Sequence, residues 1–118
     1  MRKALAVVLF VFEPVQAATM LLRVGPTLLD RDAVTVAAFA VRILLALMSV
    51  AAAIGLQSER PYADRLALIV LVASAGFAVF QYFTRALPTS LAPDVAVLFL
   101  AIILVHHGAW TAALLIRR

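Results

Sequence analysis

The sequence predicts an all-α integral membrane protein, an antiparallel four-helix bundle whose up-and-down spans are joined by short loops. About two thirds of the 118 residues are hydrophobic and only 14% are charged, which is far from the composition of a soluble domain. Apolar stretches recur four times, each near the roughly 20 residues that cross the hydrocarbon layer. Backbone groups facing lipid must be satisfied internally, so each stretch is expected to be an α-helix.

The chain is expected to form one membrane domain over residues 1–118. Gly25-Pro26 should end the first helix, and Asp30 and Asp32 are candidate N-caps for the second. Pro61 suits the first turn of the third helix, and two prolines turn the chain before the fourth. Short connections make consecutive helices antiparallel neighbours. The expected spans are roughly 4–22, 33–56, 66–84 and 95–116.

The N-terminal stretch has a second interpretation. Arg2-Lys3, the apolar run 4–12 and the triplet Val15-Gln16-Ala17 together resemble a secretory signal with a cleavage site. The apolar character resumes over residues 20–22, however. We therefore expect this stretch to be retained as the first span.

Basic residues are distributed unequally between the two sides of the expected bundle. The termini and the middle loop carry six: Arg2, Lys3, Arg60, Arg65, Arg117 and Arg118. The other two loops carry three: Arg23, Arg31 and Arg85. This bias predicts that both termini lie on the cytoplasmic side of the membrane. The membrane is expected to be a bacterial inner membrane. The net charge of +4 is thus attributed to membrane topology and not to nucleic-acid binding. The expected partner is the lipid bilayer.

A carboxylate, Glu13, lies in the middle of the first span, followed by Pro14. Arg42 lies at a compatible depth in the second span, on a face that it shares with Thr35 and Ser49. An isolated charge there costs about 2.5 to 3.5 kcal/mol on insertion scales, so we predict an intramembrane ion pair between Glu13 and Arg42. The pair is interpreted either as a structural clamp or as a coupling site for protons or cations.

Other polar residues are expected to contact neighbouring helices or a partner protein. Gln16 follows Glu13 by three residues and should share its face, together with Met20 and Arg23. On the third span Gln81 shares a face with Ser74, Phe77 and Arg85, and Tyr82 belongs to an aromatic belt at the membrane interface. The predicted polar contacts are Gln16, Ser49, Gln81 and Tyr82.

The fourth span contains His106 and His107 near mid-depth. Adjacent helical residues diverge by about 100°, so the two rings should not share one face. Either histidine is interpreted as a neutral, hydrogen-bonded side chain or as a ligand for haem iron or a chlorophyll-type magnesium. Since the chain has no other histidine, a bis-histidine haem would need a second chain or another axial ligand.

Several chemistries have no sequence support. The chain has no cysteine, Gly-rich phosphate loop, zinc-ligand spacing or carboxylate dyad. No catalytic residue and no metal-ion site are therefore predicted, and no cofactor is required.

Four short helices in so small a chain, with a lone glutamate midway along the first, resemble the small multidrug resistance family. The similar segment is "FEPVQAATMLLR". The resemblance implies that Glu13 exchanges protons for cationic substrates. The resemblance covers one helix and one motif residue. Pro14 and Arg42 depart from the family pattern. The family's third helix is rich in glycine and bears a tryptophan, and it has no counterpart in "LALIVLVASAGFAVFQYF".

Three classes of function remain open from the sequence. The first is a small non-catalytic subunit or assembly factor of a larger membrane complex, because short loops leave the helix faces as the main contact surfaces. The second is a homo-oligomeric transporter or channel with Glu13 as its coupling carboxylate. The third is a haem- or quinone-associated redox subunit that uses His106 or His107.

Overall fold

The computed structural model describes residues 2–84 and 92–116, and these fold into a bundle of four α-helices. All four helices are long and apolar enough to cross a membrane. A 3₁₀ helix, Gly25–Asp30, connects α1 to α2. Much of the expected turn between the third and fourth spans, including Arg85, lies outside the described residues. The bounds are α1 Arg2–Val24, α2 Ala33–Gln57, α3 Ala63–Thr84 and α4 Pro93–Ile116.

Local chemistry explains where the helices begin and end. The first helix ends at Val24, directly before the Gly25-Pro26 pair. Of the two candidate caps for α2, the N-cap is Asp32, whose carboxylate accepts a hydrogen bond of 2.9 Å from the backbone N–H of Thr35. This bond satisfies one of the amides that the first helical turn leaves unpaired.

The connection between α2 and α3 is a tight helix C-cap. The N–H of Arg60 donates to the carbonyl of Gly55 at 2.9 Å, and the N–H of Glu59 donates to that of Leu56. Glu59 has φ of 56°, the left-handed conformation that this cap requires. Because the cap extends through residue 60, α3 begins at Ala63, and Pro61 precedes the helix instead of lying in its first turn.

Two buried apolar clusters show that the helices are antiparallel. The terminal cluster joins the start of α1, the end of α2, the start of α3 and the end of α4, which only alternating directions allow. The far cluster joins the end of α1, the start of α2 and the end of α3. The terminal cluster comprises Leu5, Ala6, Leu9, Ala52, Ala53, Leu56, Ala63, Ala67, Val70, Leu71 and Leu114. The far cluster comprises Val24, Ala38, Phe39, Leu45 and Phe77.

The helices pack mainly in chain order, α1 on α2, α2 on α3, and α3 on α4. The second helix therefore lies inside the bundle, whereas α4 lies at its edge. The stripe of Ala38, Arg42, Ala46, Ser49 and Ala53 is buried along α2. Small residues on this stripe let the neighbouring backbones approach closely.

Candidate functional site

The buried polar side chains form a layer between the two apolar clusters. In α1, Glu13 lies between Leu9 of the terminal cluster and Val24 of the far cluster. In α3, Ser74 lies between Leu71 and Phe77 in the same way. Every helix contributes at least one member, so the bundle encloses a polar layer near its middle. Within the described part of the chain, this polar layer consists of Glu13, Arg42, Ser49, Ser74 and His107.

Glu13 and Arg42 form an ion pair at the centre of the polar layer. Arg42 Nη1 lies 2.7 Å from Glu13 Oε2, and the residues are 7% and 2% exposed. The guanidinium carbon of Arg42 also lies 4.6 Å from the ring centroid of Phe77, a cation–π contact. A charge-assisted hydrogen bond of this length is short and strong. Each charge is thus compensated inside the bundle.

Ser49 ties α2 to α1 beside this pair. Its hydroxyl donates to the carbonyl of Leu9, one turn before Glu13. Pro14 lies inside α1 and carries no amide hydrogen, so the carbonyl of Phe10 does not receive the usual α-helical bond. The backbone of α1 nevertheless runs as one α-helix from Arg2 to Val24.

Two buried atoms of the polar layer have no hydrogen-bond partner among the described residues. They are Oε1 of Glu13 and Oγ of Ser74. Both residues are almost fully enclosed, at 2% and 3% exposure. A buried polar atom without a partner is costly and marks a place where a small donor or acceptor would be bound.

The two histidines pack against the ring of Phe12 on α1. The ring centroid of Phe12 lies 5.7 Å from that of His106 and 5.1 Å from that of His107. The expectation that the two rings would not share one face is therefore too strict. Their backbone positions diverge, but each ring is long enough to reach the same aromatic neighbour.

Hydrogen bonds fix which ring nitrogen of each histidine carries a proton. His107 Nδ1 lies 3.0 Å from the carbonyl of Ile103, which can only accept, so this nitrogen is protonated. Trp110 donates its indole N–H to His106 Nε2 at 3.2 Å, so the Nε2 of His106 is unprotonated. His107 is buried and His106 half-buried. Each ring thus uses one nitrogen in a hydrogen bond to another residue of α4.

Local contacts already engage one nitrogen of each histidine. The His106 Nε2 lone pair is used by Trp110, and the His107 ring is 3% exposed inside the bundle. Within the described residues, no group of three or more His, Cys, Asp or Glu is placed to hold a metal ion.

The remaining predicted contact residues lie outside the polar layer. Gln16, Gln81 and Tyr82 are half-buried. Arg23 was predicted to share a helix face with Glu13, but Arg23 is exposed whereas Glu13 is buried. The buried side of α1 continues instead through Ala17 and Val24. Tyr82 packs edge-on against Phe83, with ring centroids 5.2 Å apart.

Three features of the site were not anticipated from the sequence: the contact of Phe77 with Arg42, the unpartnered hydroxyl of Ser74, and the contact of Phe12 with both histidines. The seven-residue spacing of Arg42 and Ser49 did indicate the buried face of α2. Nothing comparable marks Phe12, because an apolar side chain in an apolar helix carries no signal of what it touches.

No protein-family model, curated protein or solved structure matches this chain.

Proposed function

We propose that this protein is a small, non-catalytic subunit or assembly factor of a larger membrane protein complex. The observation that carries the proposal is the exposure of α4. Its buried side chains, among those described, are Ile103, His107 and Leu114, which form a single narrow stripe. Large apolar side chains make up much of its remaining surface, as expected of a helix available to other membrane helices. They include Val97, Leu98, Phe99, Ile102, Val105 and Leu115.

The closed ion pair supports a structural role for the polar layer. Glu13 and Arg42 neutralise each other, and apolar clusters lie on both sides of them along the bundle. Such an arrangement fixes how α1 packs on α2 and presents no charged group to an outside ligand. We further propose a bacterial inner-membrane location with both termini cytoplasmic, on the basis of the Lys and Arg distribution.

Native mass spectrometry on protein purified mildly from its own membrane tests the subunit proposal. We expect a hetero-oligomer in which this chain is one component. A homodimer or another small homo-oligomer, without other proteins, would contradict the proposal. A visible absorption spectrum of the same sample would reveal a bound pigment.

Cross-linking tests whether α4 is the contact surface. The chain has no cysteine, so a single one introduced by Val105→Cys provides a unique attachment point on a residue that is 74% exposed. The matched control is Val72→Cys on α3, at 57% exposure. We expect a defined cross-link to a second protein from position 105 and none from position 72. Equal cross-linking from both positions would show no preference for α4.

A second candidate is a homo-oligomeric transporter or channel with Glu13 as the coupling carboxylate. The observation that favours it is the unpartnered Oε1 of Glu13. This candidate predicts that Glu13→Gln abolishes pH-dependent substrate binding while the protein stays folded. Binding that is unchanged across pH in the wild-type protein would remove its main support.

A further inference from the structure

The two unpartnered atoms of the polar layer belong to different helices. Glu13 Oε1 lies on α1, and Ser74 Oγ lies on α3. The ion pair connects the two positions. Arg42 bonds the other oxygen of Glu13 and lies over Phe77, which follows Ser74 by one helical turn on the same buried face. Arg42 thus contacts the residue that carries one unpartnered atom, and it contacts the residue one helical turn after the one that carries the other.

The charge of the layer limits what the two atoms can bind. Glu13 and Arg42 already sum to zero, so a metal cation would add an uncompensated charge among buried side chains. A proton on Glu13 would leave Arg42 without its counter-ion, and the guanidinium cannot lose its own charge. A bound group should therefore be neutral, and it must donate to a carboxylate oxygen.

We propose that the polar layer binds one water molecule, which donates to Glu13 Oε1 and accepts from Ser74 Oγ. A buried water needs two to four polar partners, typically about three. The carboxylate accepts, and the serine hydroxyl can donate. The carbonyl of Phe10, freed by Pro14 one turn before Glu13, offers a second acceptor for the other hydrogen of the water. This water satisfies both unpartnered side chains and leaves the ion pair charged.

The chain allows a single-site spectroscopic test. Its glutamates are Glu13 and Glu59, so labelling with ¹³C-carboxyl glutamate in a Glu59→Gln variant reports on Glu13 alone. Magnetisation transfer from water to this carbonyl carbon, measured by solid-state NMR in lipid bilayers, detects a bound water. We expect a transfer signal at Glu13, and its loss in Ser74→Ala. The matched control is Gly76→Ala on the same helix, where an added methyl meets open space and the signal should persist.

Each outcome bears on the proposal. No transfer at Glu13, with the carboxylate still correlated to Arg42, would mean a dry ion pair and would overturn it. A transfer signal that persists in Ser74→Ala would show water held without Ser74, and would overturn the shared site. If Ser74→Ala misfolds, Ser74→Cys replaces it; its weak S–H donor should reduce the signal while filling the space. The result does not depend on the subunit proposal, since it needs no partner protein.

Discussion

The second and fourth helices are of similar length and are both apolar enough to cross a membrane, yet they occupy opposite positions in the bundle. Ten of the 25 residues of α2 are buried, and six of these ten are alanine, serine or arginine. The described side chains of α4 are buried only at Ile103, His107 and Leu114. Overall hydropathy therefore does not distinguish an inner helix from an outer one.

The difference lies in the small and polar residues. A membrane offers no hydrophobic driving force between helices, so close approach and polar contacts determine which faces meet. The second helix supplies both, through its alanines, through Arg42 paired with Glu13, and through Ser49 bonded to Leu9. The fourth helix supplies one buried polar contact point, His107, whose ring bonds its own backbone.

Breaking the ion pair should produce the largest effect. Removing one buried partner strands the other charge and typically costs about 3–5 kcal/mol. We expect Glu13→Leu to reduce the free energy of unfolding most, because it strands a guanidinium that cannot lose its charge. Arg42→Met should follow, and the double variant should be more stable than either single one.

The measurement is the free energy of unfolding, in mild detergent or bicelles, of the two single variants and of the double variant. Arg65→Met, which removes an exposed arginine on α3, serves as the control and should change little. If the cost of the double change equals the sum of the singles, the two residues do not act as a pair. The inner position of α2 would then depend on its small residues alone.

The sequence predicted the number and nature of the helices because apolar length alone determines them in a bilayer. The Glu13 and Arg42 pairing was expected because two costly charges at similar depth stabilise each other. The sequence could not predict that α4 lies at the edge, since Val105 facing outward and Leu71 facing inward are equally apolar. Nor could it predict that Phe12 touches both histidines, because that depends on the relative position of α1 and α4.

Truncating apolar side chains tests the contrast between inner and outer surfaces. Leu71 is 1% exposed in the terminal cluster, so Leu71→Ala leaves a cavity and should cost about 2–5 kcal/mol. Leu98 on α4 is 61% exposed, and Leu98→Ala should change the free energy of unfolding by less than about 0.5 kcal/mol. Similar losses for the two variants would show that α4 is packed more tightly than its exposure indicates.

Two glycines test the same contrast by adding a methyl group. At Gly55 an added Cβ would lie 3.0 Å from Cε2 of Tyr62 and 3.1 Å from Cβ of Ala63, whereas at Gly108 it meets nothing within 4 Å. We expect Gly55→Ala to destabilise the α2–α3 turn by about 1–3 kcal/mol. Gly108→Ala should be neutral or stabilising by up to about 1 kcal/mol. Thermal unfolding of both variants, side by side, measures the difference, and a destabilised Gly108→Ala would contradict it.

The start of α2 also differs from the start of α4, and here we expect the smallest effect. Asp32 caps the third amide of α2. Hydrogen bonds from the hydroxyl of Thr35 and from this amide lower the pKa of the Asp32 carboxyl below its ordinary value. Asp94 instead lies inside the first turn of α4 and accepts from the adjacent N–H of Val95. Asp32→Ala should therefore destabilise the protein more than Asp94→Ala does.

The lowered pKa gives the cap a direction of pH dependence. The unfolded chain takes up the proton more readily than the folded protein, so the stabilisation is complete above the ordinary aspartate pKa. It is lost as the pH falls through the lowered folded-state value. Asp32→Asn keeps a good cap without a titrating group, so its unfolding free energy should depend less on acid pH than that of the wild-type protein. Identical acid titrations of the two proteins would mean that the ionised form of Asp32 contributes nothing to the start of α2.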